Sequence, residues 1–131
     1  MSRKKKMTEQ EKQSYRTRIL IIMAGHVGKS NRIGMGELYE QVFETTYEHR
    51  INDTRPLRIL ITELRKDGVA ICSKQSQNSG GYWLASAGSE LTSYCETLRK
   101  RALGILGMEA KVRKMTLPEL VGQLSLELKK E

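Results

Sequence analysis

One stretch decides the fold of this chain: residues 55–68, which read Arg-Pro-Leu-Arg-Ile-Leu-Ile-Thr-Glu-Leu-Arg-Lys-Asp-Gly. Its large aliphatic residues recur at the spacing of one face of an α-helix. They are Leu57, Leu60, Ile61 and Leu64. Asp53 is a favourable N-cap residue, Pro56 suits a first turn, and Gly68 favours an end to the helix. The pattern predicts an amphipathic helix with one buried apolar stripe and a basic opposite face.

Two short apolar runs follow this helix, with a polar segment between them. Residues 69–72 read Val-Ala-Ile-Cys, and residues 81–85 read Gly-Tyr-Trp-Leu-Ala. The segment between them, residues 73–80, is polar and ends in glycine, which is typical of a hairpin loop. The sequence therefore predicts two antiparallel strands joined by this loop.

The residues before position 55 predict two further helices. Thr8 and Glu11 have the spacing of a capping box, so we expect a first helix to begin at Thr8. Its second half, residues 19–24, is apolar nearly all round, which predicts the central buried helix of the domain. Residues 32–35 predict a short extended piece, and residues 36–43 predict a second helix with apolar residues on one face.

The C-terminal part predicts a long helix over residues 86–115 and a last amphipathic helix that opens at residues 116–119. Four apolar residues of the long helix recur at seven-residue intervals: Leu91, Leu98, Ile105 and Val112. Cys95 and Ala102 lie beside this row. The row fits a homodimer interface, and it fits equally well a packing face toward the last helix and the rest of the domain. The residues leave both alternatives open.

The composition is that of a basic globular protein. Of its 131 residues, 38% are hydrophobic and 29% are charged, and a domain of this size needs no metal or disulfide to hold a core. The formal net charge is +8, and a basic surface raises the local concentration of polyanions such as nucleic acids. We expect a basic arm at residues 1–7, a domain at residues 8–86 and a helical extension at residues 87–131.

Cysteine usage and hydropathy exclude several classes of protein. Cys72 and Cys95 are too far apart for a metal knuckle and have no histidine cluster beside them. This predicts two buried, reduced thiols and no metal or cofactor. The basic N-terminus is followed by polar residues, and the longest apolar run, residues 19–25, is too short to span a bilayer. The sequence predicts a soluble, cytoplasmic protein.

Residues 25–30 read Gly-His-Val-Gly-Lys-Ser and suggest a phosphate-binding loop at first sight. That motif requires a glycine five positions before Gly28, where this sequence has Met23, and a long helix directly after the loop. We therefore interpret the segment as a turn between two helices. No nucleophile and base, and no paired carboxylates, point to another activity, so we expect that the chain is not an enzyme.

Residues 55–68, the hairpin and the Gly-Tyr-Trp-Leu at residues 81–84 resemble the winged-helix family of DNA-binding domains. Together with the basic residues 97–102 of the long helix, the hairpin is similar to small winged-helix proteins that phages and prophages encode. The resemblance leaves the C-terminal end uncovered. It implies a mainly α fold with a small β-hairpin (α+β), in which a winged helix-turn-helix is followed by two C-terminal helices.

The resemblance also implies that the helix at residues 53–67 lies in the major groove of double-stranded DNA. Its expected contact residues carry cationic or hydroxyl groups: Arg55, Arg58, Thr62, Arg65 and Lys66. The first three would face base edges, and the last two would reach phosphates. The hairpin loop would touch the backbone or the minor groove through four residues: Lys74, Gln75, Gln77 and Asn78.

The expected function is therefore that of a DNA-binding transcriptional regulator or replication accessory protein of a phage or prophage. The alternative is a winged-helix module that binds another protein, because fold alone does not fix function. The basic face of the helix favours DNA. Ile59 is left open, since it projects close to the polar face and could pack against the second helix or contact a thymine methyl group.

Overall fold

A computed structural model describes residues 6–76 and 79–129 of the chain. The chain divides into two compact units, one up to Leu91 and one from Thr92 onward. Residues 1–5 of the predicted basic arm lie outside the described residues. Within residues 6–76 and 79–129, no helix is both long enough and apolar enough to cross a membrane.

The described elements are five α-helices, one short 3₁₀ turn and two strands. In chain order they are α1 (Glu9–Met23), the 3₁₀ turn (Lys29–Asn31), α2 (Met35–Phe43), α3 (Arg55–Lys66), β1 (Ile71–Lys74), β2 (Gly81–Leu84), α4 (Gly88–Val112) and α5 (Leu117–Lys129). The boundary between the two units falls inside α4. The prediction of a mainly helical α+β fold is confirmed.

The two strands form an antiparallel sheet in which Ile71 pairs with Leu84 and Lys74 pairs with Gly81. The predicted extended piece is present as an isolated antiparallel bridge between Ile33 and Tyr82. Two backbone hydrogen bonds join these residues, from the Ile33 N–H to the Tyr82 carbonyl at 2.9 Å and in the reverse direction at 2.8 Å. The segment before α2 therefore lies along the free side of β2.

The core of the first unit draws on α1, α2, α3 and β1. Its buried residues are Ile19, Met23, Ile33, Leu38, Tyr39, Val42, Leu57, Leu60, Ile61, Leu64 and Ile71. The stripe predicted for α3 is fully included. The prediction that residues 19–24 form an all-round buried segment is wrong, because Leu20 and Ile21 are exposed. Helix α1 packs with one side toward α2 and α3, where Ile19 and Met23 are buried and Tyr15 and Ile22 are partly buried against the core.

A local side-chain hydrogen bond sets the start of α1, whereas the Thr54 side chain at the start of α3 makes no cap hydrogen bond. The capping box of α1 is confirmed, with the Thr8 hydroxyl accepting from the Glu11 N–H at 3.1 Å and the Glu11 carboxylate accepting from the Thr8 N–H at 3.3 Å. For α3, the predicted N-cap is wrong by one residue, since Thr54 occupies that position. The Asp53 carboxylate instead accepts hydrogen bonds from the N–H groups of Glu48 and His49, both at 2.9 Å, and so closes the preceding loop.

The second unit is a pair of helices joined by a short, well-specified turn. Lys114 adopts a left-handed conformation at φ 57°, and the N–H of Met115 reaches back to the Ala110 carbonyl at 2.9 Å. This is the hydrogen-bond pattern that ends many helices. Thr116 and Glu119 then form a capping box at the start of α5, with the Glu119 N–H donating to the Thr116 hydroxyl at 3.3 Å.

The cysteines differ in environment. Cys72 lies buried in β1, as predicted, whereas Cys95 is exposed on α4. The prediction of two buried thiols is therefore wrong for Cys95.

Candidate nucleic-acid interface

The surface of α3 that points away from the core is a stripe of four exposed residues, which we call the α3 stripe: Arg55, Ile59, Thr62 and Lys66. These positions are separated by four, three and four residues and therefore share one helical face. The face exists because the opposite side of α3 carries the four buried aliphatic residues. Arg55, Thr62 and Lys66 were all identified from the sequence.

Ile59 is the member of the α3 stripe that the sequence pattern did not assign. Its side chain is 44% exposed and lies between Arg55 and Lys66 along the stripe. Packing of Ile59 into the core is therefore excluded. Its spacing already places it near the polar face, since position 59 is one helical turn from 55 and nearly two turns from 66.

Arg58 lies on one flank of this stripe and serves the neighbouring loop. Its Nη2 donates to the carbonyl of Ile51 at 2.5 Å, and its Nε is buried without a hydrogen-bond partner among the described residues. The side chain is half-buried. The guanidinium thus holds the loop between α2 and α3 against α3. Arg58 therefore has fewer N–H donors available for a ligand than the sequence suggested.

Arg65 joins α3 to the hairpin. Its Nε donates to the carbonyl of Ile71 at 2.8 Å, and its Nη2 donates to the Ser73 hydroxyl at 3.0 Å. Both acceptors belong to β1. Because the planar guanidinium presents its donors in a fixed geometry, two hydrogen bonds of this kind fix the angle between the helix and the strand.

A second arginine holds the other side of the hairpin. Arg32 donates from Nε to the carbonyl of Ser79 at 2.6 Å and from Nη1 to the carbonyl of Lys29 at 2.9 Å. Gly81 completes the base of the hairpin, because a Cβ at this position would lie 2.5 Å from the Ile33 carbonyl oxygen. The position of the hairpin is therefore set by its contacts with α3 and with the segment before α2.

The hairpin residues predicted to contact DNA fall into two groups. Lys74 and Gln75 are exposed, one at the end of β1 and the other directly after it. Gln77 and Asn78 lie outside the described residues, so their placement stays a prediction.

The charges near α3 are arranged asymmetrically. Glu63, the acidic residue of α3, lies on the flank that faces α1, where its carboxylate pairs with the Arg16 guanidinium at 2.5 Å and with the Lys12 ammonium at 3.9 Å. Arg55 and Lys66 make no ion pair within residues 6–76 and 79–129. The outward face of α3 therefore keeps its positive charge, while the negative charge of the helix is neutralised on the side toward α1.

The turn at residues 28–31 does not have the form of a phosphate-binding loop. It leads into a single 3₁₀ turn, Lys29–Asn31, rather than a long helix. The Lys29 N–H donates to the Glu90 carboxylate at 3.3 Å, and the Ser86 N–H donates to the other oxygen of the same group at 3.3 Å. A carboxylate of the chain thus occupies an N–H that a phosphate loop would offer to its ligand. In the described part of the chain, no three His, Cys, Asp or Glu side chains are placed to hold a metal ion.

Comparisons with models of protein families, with curated proteins and with solved structures gave no match to this chain.

Proposed function

We propose that the first unit is a winged-helix domain that binds double-stranded DNA, with α3 in the major groove and the hairpin beside it on the backbone. The order of elements supports this reading: a helix, a short extended segment, two helices, a strand, a loop and a strand. In winged helices the second helix of the helix-turn-helix reads the groove. Here that helix is α3.

The observation that carries the proposal is the composition of the α3 stripe. Arg55 and Lys66 stand at its two ends without ion-pair partners among the described residues, and no acidic residue lies between them on that face. Binding to phosphates requires cationic side chains that no carboxylate neutralises. Such contacts supply most of the affinity of a protein for nucleic acid. A face that bound an acidic or apolar protein partner could share one of these features. Arg55 additionally offers donors to base edges, and Thr62 offers its methyl group and an acceptor oxygen, since its hydroxyl donates to the Arg58 carbonyl at 2.9 Å.

In this proposal the site residues divide by role. Arg55, Ile59 and Thr62 face the base edges, and Lys66 and Lys74 contact phosphates. Arg58 and Arg65 are positioning residues, since their guanidinium groups are hydrogen-bonded to backbone carbonyls of the loop and of β1. In this proposal the host process is regulation of transcription, or replication, in a phage or prophage.

The test is binding of random-sequence duplex DNA, measured by fluorescence anisotropy over a series of salt concentrations. The variant Arg55→Ala/Lys66→Ala removes two exposed cations without touching a hydrogen bond of the fold. We expect weaker binding. The slope of the logarithm of the binding constant against the logarithm of the salt concentration should also become shallower, by about 1 for each phosphate that is no longer neutralised. The matched control is Lys111→Ala/Lys129→Ala, which makes the same change of charge on exposed residues of the second unit.

Equal loss of affinity in both double variants would reduce the effect to net charge and contradict a specific role for α3. Absence of binding at low salt would overturn the proposal and favour the protein-binding alternative, for which the exposed Ile51 and Ile59 would be the first residues to examine.

A further inference from the structure

The second unit leaves most of its apolar side chains uncovered. Among residues 92–129, the buried residues are Ala110 and Leu120. Eight large apolar side chains of the same stretch are exposed: Leu98, Leu103, Ile105, Met108, Val112, Val121, Leu126 and Leu128. Two helices with so small an interior are marginal in water, because helices in proteins gain most of their stability from packing an apolar face against other elements. Exposed apolar patches of this kind mark interaction surfaces.

One continuous row of α4 residues, which we call the α4 seam, consists of exposed residues apart from the half-buried Glu109: Cys95, Leu98, Ala102, Ile105, Glu109 and Val112. Successive members are three or four residues apart, which is the spacing that two supercoiled helices share. Ile105 is 70% exposed and Val112 is 78% exposed. Ala110 is two positions from Val112 and therefore faces nearly the opposite side of the helix. The α4 seam is thus separate from the face on which this unit is buried.

The α4 seam alternates between small and large residues. Cys95 and Ala102 are small, and they are interleaved with Leu98, Ile105 and Val112. In a parallel pair of helices each residue meets its own copy, so small would face small and large would face large. In an antiparallel pair each small position faces a large one, and the layers fill evenly.

We propose that a second copy of this chain packs on the α4 seam, with the two α4 helices antiparallel. The charge pattern favours the same orientation. A parallel pair would bring the two Glu109 carboxylates together in the interface, which is unfavourable for like charges. In the antiparallel pair, the two Glu109 side chains lie toward opposite ends of the seam, each beside Arg113 of its own helix, at 2.8 Å. A symmetric dimer requires a self-complementary surface of this kind.

The interface does not depend on DNA binding, so its test uses the protein alone. We expect the full chain to sediment as a dimer at micromolar concentration. Two leucines of α4 provide a matched pair, since Leu98 and Leu103 are both 41% exposed but lie on different faces. Leu98→Lys should weaken dimerisation by at least about tenfold, roughly 1.4 kcal/mol, whereas Leu103→Lys should leave the dimer intact. A monomeric wild-type chain, or equal effects of the two substitutions, would overturn the proposal.

The orientation is tested by disulfide formation under mild oxidation, with Cys95 as the exposed thiol. The antiparallel pair places Cys95 opposite Ile105 or Val112 of the other copy, depending on the register. Ile105→Cys or Val112→Cys should therefore give a cross-linked dimer, and the wild-type chain should not. Within one helix, positions 95 and 105 are roughly 15 Å apart, too far for an intramolecular bridge. Removal of Cys95 from either variant should abolish the cross-link. Ready cross-linking of the wild-type chain through Cys95 would establish a parallel pair and contradict the proposed orientation.

Discussion

The unit that ends at Leu91 and the unit that begins at Thr92 use the same local signals but have very different interiors. Both contain a helix that starts with a capping box, at Thr8 and at Thr116. In the first unit, each helix up to α3 and strand β1 contributes buried residues to one shared core. Among the described residues of the second unit, the buried ones are Ala110 and Leu120. Local signals are sufficient to define helices, but only a shared core fixes them relative to one another.

The largest effect expected from this difference concerns matched leucine truncations. Leu60 is fully buried in the first unit, whereas Leu126 is exposed in the second. Leu60→Ala should lower the free energy of unfolding of the first unit by about 2–5 kcal/mol, because it removes buried apolar atoms and leaves a cavity. Leu126→Ala should change it by less than about 0.5 kcal/mol. Urea denaturation followed by Trp83 fluorescence reports on the first unit. Comparable losses in the two variants would mean that the second unit shares the core of the first.

Within the first unit, a smaller difference is expected between two arginines of α3. Arg65 donates hydrogen bonds to the Ile71 carbonyl and the Ser73 hydroxyl, while Arg55 points outward. Arg65→Ala should reduce the free energy of unfolding by about 1–3 kcal/mol, since it leaves a strand carbonyl without its donor. Arg55→Ala should be neutral for stability and should act on DNA affinity alone. Thermal denaturation and DNA titration of both variants separate the two roles, and a destabilised Arg55→Ala variant would contradict this assignment.

The two capping boxes offer a comparison of similar size. Thr8→Ala and Thr116→Ala each remove a hydroxyl that accepts a backbone N–H, a loss of about 1 kcal/mol. In the first unit the loss should appear in the cooperative unfolding transition, because α1 packs into the core. In the second it should appear as reduced helicity in dilute solution, before the main transition. Circular dichroism over a range of protein concentrations tests this. Recovery of helicity at high concentration would agree with a dimer through the α4 seam.

The sequence predicted most of the first unit because its pattern and its local signals agree. Leu57, Leu60, Ile61 and Leu64 are buried as the helical spacing required, and the hairpin forms where glycine and polar residues indicated. The errors arose where tertiary contacts decide the outcome. The apolar run that includes Ile21 gave no sign of which side α2 and α3 would cover.

The candidate site shows the same limit. Composition and spacing identified Arg55, Thr62 and Lys66 as outward-facing residues of α3, and the structure exposes them. They could not show that the guanidinium groups of Arg58 and Arg65 bind backbone carbonyls, because the acceptors come from the loop before α3 and from β1. Which cations remain available to a ligand is decided by these partners rather than by the charge of the helix.

The smallest predicted effect concerns Glu90, which links the first turn of α4 to the rest of the first unit. Partial desolvation raises the pKa of its carboxyl, but hydrogen bonds from the N–H groups of Ser86 and Lys29 outweigh this and hold the pKa below its ordinary value of 4.5. A carboxyl whose pKa is lowered by folding stabilises the folded state fully above its unfolded pKa. That contribution is lost as the pH falls through the lower pKa of the folded state.

Glu90→Gln should therefore lower the melting temperature slightly at neutral pH, and the difference from the wild-type chain should vanish once the pH falls below the lowered pKa. Ser89→Ala, at the exposed neighbouring position, serves as the control for changes in α4 itself. Melting temperatures measured by differential scanning fluorimetry between neutral and acidic pH give the comparison. A difference that stays constant with pH would show that the charge of the Glu90 carboxylate does not stabilise the first turn of α4.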